Sequence, residues 1–193
     1  MPATATGQRL LDSATEAFAA KGFHGTTTRD IATAAGVTPG AVYVHHSSKE
    51  ELLYTISREG HERTLELVRA SAAAATDPVE QIRTMVRDLV EWQAVNRTKS
   101  SVVNFELAAL SDEHRREVLE FRRAVDAEFR AVVERGRQQG RFAVEDPALA
   151  TLALLSLCID VARWFQGGGR LGAAEIGRHH STLALRMLGV DGA

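Results

Sequence analysis

Much of what would mark an extracellular, membrane-bound or catalytic protein is missing from this sequence. Its 193 residues include one cysteine, Cys158, so no intrachain disulfide can form and a lone thiol fits a reducing cytoplasm. The N-terminus lacks the basic start and apolar run of a secretory signal. The most apolar stretch, residues 147–159, is shorter than the roughly 20 residues that cross a bilayer, and Asp160 and Arg163 follow at once. No membrane partner is therefore expected. Alternation of apolar and polar residues is sustained nowhere, which removes the β-sheet classes. No nucleophile elbow, phosphate-cradling loop or metal constellation appears, so an enzyme is disfavoured and no cofactor is expected. His45 with His46, and His179 with His180, point roughly 100° apart on a helix and make no i,i+4 ligand clamp, so no metal is expected. A basic surplus is missing too. The formal net charge is −2, and within the first fifty residues Arg9, Lys21, Arg29 and Lys49 are balanced by Asp12, Glu16, Asp30 and Glu50.

What is present is concentrated in TTTRDIATAAGVTPGAVYVHH, residues 26–46. Thr27 and Asp30 stand at the spacing of a capping box, opening a helix from Arg29 to Ala35. Gly36 ends that helix, because only a residue without Cβ takes the left-handed conformation freely, and Val37 follows as an apolar plug. Thr38 caps a second helix with Pro39 at its first position, where a missing N–H costs nothing. Ile31, Ala32, Ala35, Val37 and Val42 fall on inward faces, and the small alanines let the two helices cross closely. Pro39, Gly40, Ala41, Tyr43, Val44 and His45 face out. Two short helices around a glycine turn, the second presenting a bare face, make a DNA-reading unit. With no basic field, affinity has to come from a few cations, hydroxyls and helix N-termini placed against phosphates and doubled by dimerisation.

These residues resemble the TetR family of bacterial transcriptional regulators, through T-T-R-D-I-A-x-A-A-G-V-T-P-G-A-V-Y-x-H followed by S-K-E-E-L. One position departs: His46 stands where the family usually has a phenylalanine, which bears on local packing and its pH dependence. The resemblance implies an all-α fold in two parts. A three-helix DNA-binding domain, residues 1–50, would precede an effector-binding and dimerisation domain, residues 51–193. It also implies a homodimer on a palindromic double-stranded operator, a small-molecule effector, and a bacterial cytoplasmic, nucleoid-associated location. The stretches NFELAAL, QGRF and VARWF are similar to a subset of the family that responds to acyl-CoA thioesters.

Helical periodicity runs through the remainder, giving about nine helices in all. Gln8 to Lys21 puts Leu10, Leu11, Ala14, Ala17 and Phe18 on one face before Gly22 stops it. Ser48 and Glu51 box the start of a helix through Leu52, Leu53, Ile56 and Leu65 that bridges the two domains. Asp77, Pro78 and Glu80 open a helix with the stripe Ile82, Met85, Val86, Leu89 and Trp92. A less regular helix carries Val102, Val103, Phe105 and Leu107, and Ser111 opens a long one through Val118, Phe121, Val125, Phe129 and Val132. Asp146 and Pro147 begin a helix apolar nearly all round, and a last helix spans about Gly172 to Leu188. The apolar-all-round helix and the last one are expected to form a four-helix seam with their copies.

The candidate DNA-contacting residues are Thr28, Arg29, Thr38, Pro39, Gly40, Ala41, Tyr43, Val44, His45 and Lys49. Tyr43 and Lys49 are placed to meet phosphates, as is Thr28. Arg29 reads either as a solvated charge or as a bidentate guanine reader. Pro39, Gly40, Ala41 and Val44 offer almost no side-chain hydrogen bonds, so readout there rests on thymine methyls, backbone approach and DNA shape. The candidate effector residues are Met85, Leu89, Trp92, Phe105, Phe121, Val125, Arg163, Trp164, Phe165 and Arg170. The arginines would meet an acyl-CoA's phosphates and the aromatics its apolar part; a dry core with solvated arginines is the other reading. Asp160 and Arg163 pair with each other or across the dimer seam, and Cys158 is a packed thiol. A helical adaptor protein without sequence-specific DNA binding is the alternative to the regulator.

Overall fold

Two apolar cores organise the chain. In the computed structural model, which describes residues 5–190, every element is helical. In order these are α1 (Ala5–Gly25), α2 (Thr28–Ala34), α3 (Pro39–His45), α4 (Lys49–Ala73), α5 (Pro78–Val95), α6 (Arg97–Phe105), a 3-10 turn (Leu107–Ala109), α7 (Asp112–Gln138), α8 (Pro147–Ile159), α9 (Val161–Trp164) and α10 (Ala173–Met187). The described residues thus form ten α-helical segments. The expected nine follow if α8 and α9 count as one, since Asp160 between them has helical φ/ψ of −66/−16.

The first unit takes the chain up to His61 together with Thr98–Glu120; the second takes Glu62–Arg97 and the chain from Phe121 onward. Packing therefore gathers a sequence-distant piece, α6 and the start of α7, into the same unit as α1 to α3. The boundary expected at residue 50 does not anticipate this piece.

The first core is built by Leu10, Leu11, Ala14, Phe18, Ile31, Val42, Leu52, Leu53, Ile56, Val102 and Val118, all at most 4% exposed. Each such aliphatic or aromatic side chain withdrawn from water contributes about 1.5–3 kcal/mol before chain entropy is charged against it. Gly22 takes φ 70 and breaks α1 rather than ending it, because one more helical turn follows to Gly25. Thr26 Oγ1 then donates to the carbonyls of Ala17, at 3.0 Å, and Gly22, at 2.9 Å, closing the turn from inside.

The second core joins α5, α7, α8 and α10 through Ile82, Met85, Val86, Leu89, Phe129, Val133, Leu154, Cys158 and Leu185, all 1% exposed or less. α10 lies closely against α5 because Gly177 has no Cβ: one placed there would meet the Arg87 carbonyl at 2.8 Å. α9 carries the apolar helix on to Trp164, so Pro147–Trp164 reaches 18 residues at mean hydropathy 1.4, long enough by count to cross a bilayer. One face of the stretch is nevertheless packed into the second core, with Leu154, Cys158 and Val161 fully buried. Burial also pushes the Cys158 thiol up to about 12, so it stays protonated and unreactive.

Candidate nucleic-acid interface

Local sequence rules build α2 and α3. The Asp30 amide donates to Thr27 Oγ1 at 3.1 Å while the Thr27 amide donates to Asp30 Oδ2 at 2.9 Å, completing a capping box. The Thr27 amide and the Thr27 hydroxyl, which donates to the same carboxylate at 2.8 Å, hold the half-buried Asp30 carboxyl below its usual range, with Lys21, 3.9 Å away, adding to them. Gly36 sits at φ 66, and the Val37 amide donates back to the Ala32 carbonyl at 3.0 Å. Thr38 is the N-cap of α3 with Pro39 in its first turn. Its hydroxyl makes no capping bond, contrary to its expected role; the Ala41 amide donates to the Thr38 carbonyl instead, at 3.0 Å.

α3 buries only Val42. Pro39, Gly40 and His45 are exposed and Ala41 is half-buried, while Tyr43 is 57% and Val44 80% exposed. Around Gly40 a Cβ would meet nothing within 4 Å. Arg29 is exposed as well, and Thr28 Oγ1 lies 3.5 Å from the Tyr43 hydroxyl, linking the two motif helices on the outer side. An exposed helix with no polar side chains near its N-terminus offers little to water or to protein. It fits a groove that is read by shape and methyl contact.

Lys49 is placed differently from the sequence expectation. Its Nζ donates to the carbonyls of Phe23 and Thr26, each at 2.7 Å, and lies 4.1 Å from the centre of the Phe23 ring. Two of three ammonium protons thus clamp the α1–α2 corner to the start of α4, and one is left for solvent or a phosphate. The sequence signal for Lys49 was its spacing from the turn, which cannot distinguish an inward from an outward ammonium.

A second tie was not legible. Glu106 Oε2 accepts the Phe23 amide at 3.2 Å, and Glu50 Oε1 accepts the Ser111 amide at 2.8 Å. His114 Nδ1 lies 2.9 and 3.0 Å from the Glu50 carboxylate, and its ring stacks on Tyr54 at 3.8 Å. Tyr54 in turn donates to Glu117 at 2.6 Å, and burial together with that carboxylate raises the phenol to about 12. The segment from Glu106 to His114 is therefore fastened at both ends to α1 and α4, next to the motif helices. Partners 60 to 83 residues apart leave no local pattern in the sequence.

His46 is the C-cap of α3 and half-buried, and burial depresses its imidazole despite the opposing fields of Glu51 and Glu59. At the start of α4 the expected box is half made. The Glu51 amide donates to Ser48 Oγ at 3.0 Å, but the Glu51 carboxylate takes the Ser47 amide rather than that of Ser48.

The residues nominated for an effector divide. Met85, Leu89 and Val125 are closed core; Trp92, Phe121 and Phe165 are half-buried; Arg163, Trp164 and Arg170 are exposed. Phe105 belongs to the first unit and the other nine to the second. Trp164 is stacked on His180 at 5.9 Å instead of filling a core, and Arg163 lies 3.8 Å from Asp160.

Residues 10–55 match the family model for bacterial regulatory proteins of the tetR family, and residues 75–188 that for the tetracyclin repressor-like C-terminal domain. Among solved structures, a bacterial regulatory protein of the tetR family from Rhodococcus RHA1 is 38% identical, with a TM-score of 0.92 over 97% of this chain and 98% of its own. The transcriptional repressor KstR2 of Mycobacterium tuberculosis is 26% identical over 95% of this chain and 92% of its length. AibR, solved with isovaleryl coenzyme A and operator DNA, shares the fold at a TM-score of 0.85 and 23% identity, covering 92% of this chain and 97% of its own.

Proposed function

This chain belongs to the TetR family of bacterial regulatory proteins, and from that premise we propose that it is a homodimeric repressor released from a palindromic operator by an acyl-CoA thioester. The observation that carries the DNA half is α3, a helix that buries only Val42, leaves Ala41 half-buried and the rest exposed, and has no polar side chains at its N-terminal end. In this reading Pro39, Gly40, Ala41 and Val44 enter the major groove. Thr28, Thr38, Tyr43 and the remaining proton of Lys49 meet phosphates, and Arg29 and His45 stand at the edges of the footprint. Two copies would sit on half-sites roughly 34 Å apart. Working on DNA places the protein in the cytoplasm, at the nucleoid. The reading is tested by gel shifts with Gly40→Asp: a carboxylate held against the groove should abolish binding, and wild-type affinity would reject this placement of α3.

Dimerisation is supported by the outer faces of α8 and α10. Leu149 and Leu152 on α8 are 62% and 59% exposed, and Leu183 and Met187 on α10 are 45% and 47% exposed. α8 and α10 pack on each other within the second unit, so these four form an apolar strip that a second copy would cover. Leu155, by contrast, is 9% exposed in the core.

For the effector, the acyl chain would part α5 from α7 near the half-buried Trp92 and Phe121, displacing contacts of Met85, Leu89 and Val125. Arg163 and Arg170 would meet the phosphates beside Trp164 and Phe165. AibR's complex with isovaleryl coenzyme A supports this choice of ligand. Release from DNA then follows from tighter binding to a dimer whose two α3 helices are spaced wrongly for the operator. Calorimetry against acyl-CoAs, free fatty acids and aromatic drugs decides it. Tight binding by a CoA-free aromatic compound, with no heat from any thioester, would overturn the acyl-CoA assignment and leave the regulator standing.

A further inference from the structure

The apolar strip on α8 and α10 does not stop at its aliphatic side chains. On α10, positions 180, 183 and 187 recur at three and four, the spacing of one helix face. They hold the half-buried His180 and the exposed Leu183 and Met187. Trp164, at the end of α9, is 48% exposed, and its ring stacks on that of His180 with centroids 5.9 Å apart and planes 20° apart. The strip that a second copy would cover is thus continued, within the second unit, by an indole lying on an imidazole.

That imidazole is the member of the strip that can change charge. Its Nδ1 lies 2.9 Å from the Ile176 carbonyl. A carbonyl only accepts, so Nδ1 carries the hydrogen, and Nε2 is the nitrogen that gains a proton in acid. The charged groups around the ring give such a cation little support. On α10, His179 opposes it, and Arg178 and Arg186 bring further positive charge. Across the α8–α9 junction, Asp160 lies 3.8 Å from Arg163. On α5, Asp88 is bound to Arg87 at 2.8 Å and Glu80 to Arg83 at 3.2 Å, with Glu91 further along the helix. At the start of α10, Glu175 takes the Gly172 amide, and Arg170 stands in the loop before it. Burial already favours the neutral ring in the single chain, and a second copy laid on the strip would withdraw it further from water.

Building on the proposed dimer, we infer that the Trp164–His180 pair lies in the seam between copies and makes the dimer acid-labile: the seam closes over the neutral ring and opens when His180 takes a proton. The sign follows from linkage. Two separate chains bind more protons than the dimer, so acid favours the separate chains once pH falls below the ordinary imidazole value of about 6.5. With two rings per dimer, the dissociation constant can rise by as much as about two decades per pH unit. Operator binding by a pair of α3 helices would weaken with it.

The experiment is sedimentation equilibrium of the full-length protein between about pH 8 and pH 5.5, wherever circular dichroism shows the chain folded. The wild-type dissociation constant should rise about tenfold or more over that range. His180→Phe, which keeps a ring on Trp164, and His180→Gln should both hold it constant. His180→Arg, a fixed cation, should weaken the dimer about tenfold or more already at pH 8, and His179→Gln should keep the wild-type dependence. In Trp92→Phe, where Trp164 is the remaining tryptophan, emission should shift to the blue as concentration crosses the dissociation constant. A dimer equally tight at both ends of the pH range, or a dependence that survives His180→Phe and His180→Gln, would overturn the inference alone. So would a His180→Arg dimer as tight as wild type, or a Trp164 emission that ignores concentration. A wild type that stays monomeric at pH 8 would instead overturn the dimer on which the inference rests.

Discussion

The two units bury the same kind of aliphatic core and turn different faces outward. In the first, part of the polar set close to α2 and α3 is used internally: the box of Thr27 and Asp30, the Lys49 clamp, and the ties of Glu106 and Glu50. What remains exposed on α3 is small, apolar or aromatic. In the second, α8 and α10 leave Leu149, Leu152, Leu183 and Met187 exposed on helices whose opposite sides are fully packed. An outward apolar surface therefore has two meanings here. Seven residues holding one buried valine suit a groove, while two longer helices that each expose two large apolar side chains suit a second copy of themselves.

Substitutions at matched outward and inward sites break this comparison most severely. Leu155→Arg puts a cation into the second core and should cost several kcal/mol, enough to abolish a cooperative thermal transition. Leu152→Arg lies on the same helix at 59% exposure and should leave folding intact while converting the protein to a monomer at micromolar concentration. Sedimentation and circular dichroism on the pair separate the two outcomes. A monomeric wild type would remove the dimer seam from the account.

Next in size is Gly40→Asp in the first unit. With open space around its Cβ, and with φ outside the left-handed region, the variant should fold with a thermal midpoint close to wild type. Operator affinity should nonetheless fall by about 100-fold or more, some 2.7 kcal/mol. A comparable fall in stability would mean that α3 is packed rather than presented.

Lys49→Met sharpens the contrast between clamp and contact. Removing an ammonium from two carbonyls should cost about 1–3 kcal/mol of stability. It should also weaken DNA binding by misplacing α3. If the remaining proton also meets a phosphate, the slope of log affinity against log salt falls by about 1; if the role is wholly internal, that slope is unchanged. The variant with normal stability and a reduced slope would reverse the assignment made from the geometry.

How much of this was legible in the sequence follows the range of the interactions. The caps at Thr27 and Asp146, the left-handed Gly36 and the stripe on α5 depend on residues within a few positions of one another. They appear in the structure as expected. Thr38 failed as a side-chain cap although it occupies the N-cap, since position alone does not orient a hydroxyl. The internal partners of Lys49, Glu106 and His114 could not be read, because they lie 23 to 83 residues away. Trp164, grouped by composition with core aromatics, is 48% exposed. The division into units was similarly hidden, since Thr98–Glu120 joins the first by packing.

The smallest expected effect concerns pH, and it appears in both units. Burial depresses the imidazoles of His46 and His180, so each folded unit favours the neutral ring more than the unfolded chain does. The associated stability is complete above the ordinary imidazole value of about 6.5 and is lost as pH falls through the lower folded values. His46→Phe should flatten the decline of the thermal midpoint between about pH 7 and pH 5, leaving the part due to His180. An unchanged decline in that variant would assign the pH dependence elsewhere.

The central claim is that α3 reads DNA as one of a symmetric pair. Selection from random duplexes with the full-length protein tests it most directly, with Gly40→Asp run in parallel. Wild type should enrich a palindrome whose half-sites are centred roughly one helical turn apart, about 34 Å, or slightly more, and Gly40→Asp should enrich nothing. Enrichment of the same sequence by both proteins would contradict the assignment to α3, and no enrichment by wild type would contradict sequence-specific DNA binding itself.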